Sequence, residues 1–109
     1  MTEQKRCIPC ERGSTPLTAE AAEKRLKNAE HWELIDGANK IQRRFTFGNF
    51  VLAVDFLNKL AIKAEHEFHH PDMTVGWGYC TVVFYTHKIN GLHENDFIMA
   101  QQANALYES

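Results

Sequence analysis

The sequence has little of several features that mark a specialised class of protein. Its 109 residues include three cysteines and three prolines, and no apolar run is long enough to span a bilayer. The formal net charge of -2 at pH 7 gives no electrostatic basis for binding nucleic acid or an anionic membrane. The segment from Met1 to Cys7 lacks the apolar core of a signal peptide. We therefore expect a cytoplasmic protein that contacts neither nucleic acid directly nor a membrane.

The cysteines do not form the pattern of a closed metal site. Cys7 and Cys10 make one CxxC pair, and neither a second pair nor a nearby CxxH follows to complete four zinc ligands. Cys80 lies in a strand-like segment, where the simplest interpretation is a small buried apolar residue. We expect no bound metal and reduced thiols. The role of the CxxC pair stays open, and the simplest interpretation is part of an ordered arm.

The length and an ordinary composition, 44% hydrophobic and 24% charged, fit one soluble globular domain. Residues 1–16 are polar and irregular, so we expect an N-terminal arm there. Residues 17–109 then form the single domain, with no internal repeat.

Three segments have apolar residues at helical spacing, and they predict helices over residues 19–29, 49–67 and 94–107. Asn49 suits the N-cap of the middle helix. That helix should stop near the histidines, because Pro71 disfavours helical geometry in the residue before it. Its apolar surface is broad, which indicates cover by a second helix or by another subunit.

Four segments have strand-like patterns: residues 32–35, residues 41–47, a short stretch at Val75 and Trp77, and residues 80–87. In the last of these, alternation places His87 with Tyr85 on the face opposite Cys80. The second carries Arg43 on its aromatic face. The order α-β-β-α-β-β-α favours an α+β fold, a four-stranded antiparallel sheet with helices packed on one face.

The stretch Glu65-His66-Glu67-Phe68-His69-His70-Pro71, followed by His87, is the candidate site. Histidine can give or take a proton near neutral pH, so this arrangement predicts a proton-transfer site. The alternative is a pair of exposed helix-end residues near the terminal carbonyls. A zinc site of three histidines is chemically possible, but adjacent histidines rarely ligate one ion comfortably.

The spacing of Glu65, His69-His70-Pro71, Trp77, His87 and Asp96 resembles the signature of the pterin-4a-carbinolamine dehydratase family, also called dimerization cofactor of a homeodomain transcription factor. The resemblance covers nearly the whole chain. It extends to these residues: Cys7-Ile-Pro-Cys10, Pro16-Leu17, Trp32, Arg44-Phe45, Phe47, Phe50, Phe56, Ala64, Thr86 and Gly91-Leu92.

The resemblance implies this α+β fold, assembled as a homodimer or homotetramer. It implies dehydration of 4a-hydroxytetrahydrobiopterin, which aromatic amino acid hydroxylases release, to quinonoid dihydropterin and water. The reaction supports tetrahydrobiopterin recycling and needs no metal or other cofactor. The implied partners are the pterin substrate and a hydroxylase.

By resemblance, the catalytic residues are His69, His70 and His87, and the substrate-binding or supporting residues are Glu65, Trp77, Tyr85, Thr86 and Asp96. The 4a hydroxyl must leave as water while N5 loses its proton, which calls for a general acid and a general base. Our hypothesis is that His70 and His87 exchange these protons while His69 orients the ring. We also expect Glu65 to hydrogen-bond His69, four residues on.

Two of the supporting residues have simpler interpretations. Trp77 is a pocket wall or, nearly as well, a core aromatic. Asp96 is a site residue or a first-turn acid that complements the helix dipole.

Three positions depart from the pattern of many relatives. Phe68 replaces an acid before the histidine pair, and Met73 replaces an aromatic suited to covering the pterin. His93 replaces the usual serine or threonine N-cap of the last helix, which leaves capping to Asn95, Asp96 or the backbone.

A second class of function stays open. The family's other name implies a non-catalytic module that stabilises a partner's dimer, and such a role would use an exposed helix face. Phe56 and Ile62 are candidates for that face. Partner binding would survive loss of His87, whereas catalysis should not.

Overall fold

The computed structural model describes Cys7 and residues 15–109, so most of the predicted arm, including Cys10, lies outside the described residues. Its elements are α1 (Ala19–Leu26), β1 (Glu33–Ile35), β2 (Lys40–Thr46), α2 (Phe50–Glu67), β3 (Asp72–Gly76), β4 (Tyr79–Phe84), a 3-10 turn (His87–Ile89) and α3 (Glu94–Glu108). This order confirms the predicted α+β fold. Across the described ranges, no helix is both long and apolar enough for a membrane crossing.

The four strands form one antiparallel sheet in the order β1-β2-β4-β3. Ile41 pairs with Phe84, and Phe45 pairs with Cys80, so these side chains share one face of the sheet. All four are fully buried. The aromatic ring of Phe56 on α2 lies 4.5 Å from that of Phe45, centroid to centroid. The core therefore lies between this sheet face and the helices.

Helix α2 has the ends that its sequence predicts. The Asn49 side chain accepts a hydrogen bond from the Leu52 N–H at 2.9 Å, which caps the start. After Glu67, Phe68 adopts the left-handed conformation, with φ 53 and ψ 39. The Phe68 N–H donates to the Glu65 carbonyl at 3.3 Å, and the His69 N–H donates to the Ala64 carbonyl at 3.1 Å. These two bonds are the Schellman arrangement, which closes the helix just before the histidine pair.

Several predicted boundaries are wrong. Helix α1 ends at Leu26 rather than residue 29. The backbone N–H groups of Asn28 and Ala29 donate to the carbonyls of Arg25 and Leu26, three residues back, which is the 3-10 pattern instead of the α-helical one. Strand β1 starts at Glu33, one residue after Trp32. The buried indole of Trp32 packs against Phe84, with ring centroids 5.7 Å apart.

Two candidate site residues that were predicted to lie in strands lie in turns instead. Trp77 lies in the turn between β3 and β4, where Gly78 has φ 79. His87 begins the 3-10 turn, because β4 ends at Phe84 and the Thr86 N–H binds the Gly91 carbonyl at 2.9 Å. Alternation nevertheless holds as far as Thr86, which is buried.

Arg43 does lie on the aromatic face, and its guanidinium contacts two rings and an amide oxygen there. Its guanidinium is 4.3 Å from the Phe45 ring centroid and 5.1 Å from that of Tyr107. Its Nη1 donates to Asn104 Oδ1 at 2.6 Å, and this oxygen also accepts from Trp32 Nε1 at 2.8 Å. Partial burial lowers the pKa of Arg43 from its ordinary value. Arg43, a charged residue within the apolar pattern of β2, therefore links β2 to α3 through Asn104 and Tyr107.

Cys80 is expected to be chemically inert while the protein is folded. The residue is fully buried, and burial raises the pKa of its thiol to about 11. The reactive thiolate is therefore scarce at pH 8 and increases only as the pH rises toward 11. Iodoacetamide labelling of a Cys7→Ser, Cys10→Ser variant should leave Cys80 unmodified at pH 8 and modify it in urea. Rapid labelling of the folded variant would contradict this.

Candidate active site

The segments that carry the histidines lie at one end of the sheet because β3 and β4 are antiparallel. Asp72 at the start of β3 pairs with Val83 near the end of β4. The segment before β3, which carries His69 and His70, and the segment after β4, which carries His87, therefore leave the sheet at the same end. The first turn of α3 follows one short connection later.

His69 is held in a buried network with Asp96 and Thr86. Its Nε2 lies 2.6 Å from Asp96 Oδ1, and the Thr86 hydroxyl donates to Asp96 Oδ2 at 2.8 Å. Asp96 is fully buried, and His69 is 9% exposed. The imidazole stacks near the Phe84 ring, with centroids 6.1 Å apart and planes 19° apart. These contacts fix both the position and the plane of the His69 ring.

Helix α3 begins in this network. The prediction that Asn95, Asp96 or the backbone would supply the cap is wrong, because His93 itself caps the helix. The His93 Nδ1 accepts from the Asn95 N–H at 3.0 Å, so the imidazole itself caps the helix. In return, Asp96 Oδ2 accepts from the His93 N–H at 2.9 Å. Asp96 thus has three hydrogen-bond partners, His69, Thr86 and the His93 N–H, and lies near the positive end of the α3 dipole.

Glu65 does not pair with His69, and that prediction is wrong. Glu65 Oε1 lies 2.6 Å from His70 Nε2, and both side chains are largely exposed. The left-handed turn at Phe68 breaks the helical spacing, so His70 rather than His69 comes back over Glu65. The two adjacent histidines therefore have separate carboxylate partners, one exposed and one buried.

His87 is exposed and lies against Tyr85, with ring centroids 4.2 Å apart. The Lys40 ammonium on β2 sits 4.6 Å from the centroid of the same Tyr85 ring. Tyr85 thus contacts both a cation and an imidazole and limits the positions that the His87 ring can take. Thr86, between them in sequence, turns inward to Asp96.

Within the single chain, Trp77 does not lie at the end of the sheet that carries the histidines. Its turn joins the far ends of β3 and β4, four residues along β3 from Asp72, which corresponds to about 13 Å. The side chain is 74% exposed, so it is not a core aromatic either.

Two residues at the site make contacts that the sequence pattern did not predict. Glu67 is 8% exposed, and its Oε1 accepts from the Cys7 N–H at 2.8 Å. The Cys7 sulfur lies 3.8 Å from the Asn95 carbonyl oxygen. This part of the N-terminal segment is therefore seated between the end of α2 and the start of α3. A contact between residues so distant in sequence leaves no periodic trace.

The site offers protein acids and bases rather than a metal cage. Among the residues that the structure describes, no group of three or more histidine, cysteine, aspartate or glutamate side chains is placed to hold a metal ion. The carboxylates instead contact imidazoles. This chemistry suits orientation of a ligand and transfer of its protons.

The fold and this geometry define a class of protein: a small α+β domain with histidines paired to carboxylates at one end of an antiparallel sheet. Comparison with known proteins gives the class a family. Residues 15–106 match the family described as pterin 4 alpha carbinolamine dehydratase. The chain belongs to this family, which confirms the resemblance of the spaced motif.

Individual relatives support the same family assignment. A Methylococcus capsulatus protein, provisionally named a pterin-4-alpha-carbinolamine dehydratase, is 57% identical over 102 residues, 94% of this chain and 90% of that protein. A Halorhodospira halophila protein with the same provisional name is 47% identical over 102 residues, 94% of each chain. A crystal structure described as a transcriptional coactivator/pterin dehydratase from Brucella melitensis has a TM-score of 0.79 at 33% identity, covering 84% of this chain and 98% of that one.

Proposed function

We propose that this protein dehydrates 4a-hydroxytetrahydrobiopterin to quinonoid dihydropterin and water by histidine acid–base catalysis. The observation that carries the proposal is the pair of adjacent histidines with different surroundings. His69 is buried against Asp96, whereas His70 is exposed beside Glu65. One histidine is suited to holding a ligand in place, and the other can reach it with a mobile proton.

The dehydration breaks the bond between C4a and its hydroxyl oxygen and removes the proton of N5, so that the C4a=N5 bond forms. In the proposed division of labour, His70 and His87 exchange these two protons, one as acid toward the oxygen and one as base toward N5. His69 orients the ring, with Asp96 and Thr86 as positioning residues. Glu65 and Tyr85 position His70 and His87 through the contacts described above.

The proposed setting is cytoplasmic tetrahydrobiopterin recycling, with an aromatic amino acid hydroxylase as the source of substrate. We also propose a homodimer or homotetramer. Several large apolar side chains on α2 favour such an assembly because they remain exposed in the single chain, including Val51 at 66% and Ile62 at 73%.

Stopped-flow absorbance of carbinolamine decay tests the function. Wild type should accelerate the decay, and a His70→Ala, His87→Ala variant should not. Both histidines are exposed, so this variant should keep its fold, which circular dichroism and thermal unfolding would verify. Absence of acceleration by wild type would reject the dehydratase.

A non-catalytic, partner-stabilising module is the second candidate function. The exposed apolar residues of α2 favour it, and the Brucella melitensis relative is described as a transcriptional coactivator as well as a dehydratase. Ile62 fits the predicted contact face. The prediction for Phe56 is wrong, because this ring is 4% exposed and packs in the core against Phe45 and Phe47.

A further inference from the structure

Phe68 combines two features that a fold alone does not favour. Its backbone is in the left-handed region, where a residue with a Cβ is strained and glycine is the common choice after a helix. Its side chain is 85% exposed, more than any other exposed large hydrophobic residue in the described part of the chain. Glycine at this position would relieve the strain and remove the exposed ring, so the fold does not account for phenylalanine.

The other non-glycine residues at positive φ follow the ordinary pattern. They are small or polar and lie in turns: His31, Asp36, Ala38 and Asn90. Within this set of described residues, Phe68 alone is large and apolar. The two capping hydrogen bonds at the end of α2 hold its backbone in place. The phenyl ring is therefore presented to its surroundings from a fixed turn.

We propose that the Phe68 ring forms a stacking wall for the flat heteroaromatic ring of the substrate, and so contributes to specificity for fused bicyclic ligands. This rests on the proposed function. Phe68 directly precedes His69, and consecutive Cα atoms are about 3.8 Å apart, so the phenyl ring can reach a ligand that His69 orients. A pterin has flat faces, and an exposed phenyl ring covers such a face by offset stacking.

The imidazole of His69 is buried, so a neighbouring residue must cover the flat face of the ligand. His69 already stacks near Phe84 on the core side and binds Asp96 through Nε2. Trp77, the other strongly exposed aromatic residue, lies at the opposite end of β3. Strain at a position next to reacting groups is also where proteins commonly retain an unfavourable backbone for function.

Equilibrium binding of biopterin tests the proposal, because this stable flat pterin has no 4a hydroxyl to lose. Quenching of pterin fluorescence would give Kd for wild type, Phe68→Gly and Phe68→Tyr. We expect Kd to rise about tenfold in Phe68→Gly and to stay near the wild-type value in Phe68→Tyr. KM should rise with Kd while kcat changes less, because stacking is similar in the ground and transition states. Phe68→Gly should melt no lower than wild type because its backbone strain is relieved.

A matched control separates stacking from general loss of an exposed ring. Phe50 is 47% exposed at the other end of α2, about 27 Å away by helical rise. Phe68→Leu should weaken biopterin binding, and Phe50→Leu should not.

Two outcomes would overturn the proposal while leaving catalysis intact. One is an unchanged Kd and KM in Phe68→Gly. The other is altered self-association in Phe68→Gly at unchanged Kd, measured by sedimentation, which would assign the ring to a subunit contact. Failure of the proposed function looks different: wild type would bind biopterin with the same dependence on Phe68 but leave carbinolamine decay unchanged.

Discussion

Replacement of His87 by alanine is expected to lower the turnover number for carbinolamine dehydration by about 100-fold or more, the usual share of one acid–base group. His87 is exposed and touches Tyr85, so its loss removes the proposed proton carrier without opening the core. Single-turnover stopped-flow kinetics at pH 7 would measure the effect. The thermal midpoint should stay close to that of wild type.

The matched control for this variant is His66→Ala. His66 is also exposed and lies in the last turn of α2 near the histidine pair, and no carboxylate or aromatic side chain among the described residues pairs with it. Its loss should change turnover by less than about twofold. Near-normal turnover in His87→Ala, or an equal loss in both variants, would reject His87 as a proton carrier.

Replacement of Asp96 by alanine is expected to lower the free energy of unfolding by about 3–5 kcal/mol. The buried carboxylate accepts from Thr86 and from the His93 N–H, and it contacts His69 Nε2. Its removal leaves all three groups without this acceptor, where water does not easily replace it. Urea unfolding followed by circular dichroism would measure the loss, which is a large part of the stability of a small domain.

Glu65→Ala is the control for the Asp96 prediction because it removes the other imidazole partner. Its side chain is 75% exposed, so the expected loss is below about 1 kcal/mol. A comparable loss in both variants would show that the buried network does not carry the stability assigned to it. Asp96→Asn, which is closer in shape, should fold and still show reduced turnover because an amide cannot accept from all three donors.

The limits of helix α2 could be predicted closely because nearby residues in the sequence determine them. Asn49 caps its start, and Pro71 keeps it from continuing past the histidines. The end of β4 could not be predicted in the same way. Strand alternation continues through Thr86, but the Thr86 N–H binds the Gly91 carbonyl five residues on, and the chain turns from His87.

The pairing of Glu65 failed for a related reason. A spacing of four residues brings side chains together only while the backbone is helical, and the left-handed Phe68 ends that regularity before His69. Local sequence predicts no left-handed phenylalanine, because glycine is the usual residue there.

The role of Asp96 depends on tertiary structure in another way. The resemblance marked it as a site residue, but its place in the first turn of α3 by itself predicts a contact with the helix dipole and no specific partner. The contact with His69 spans 27 residues, and it arises from the antiparallel pairing of β3 with β4.

The seat of Cys7 has a practical consequence for recombinant work. Its backbone binds Glu67 beside the histidine pair, so a purification tag placed just ahead of Cys7 would begin within a few residues of the site. Ser109 instead follows the far end of α3, about 18 Å along the helix axis from Asp96. Fusion partners, surface-immobilisation handles and fluorescent labels are better attached at that carboxyl-terminal end.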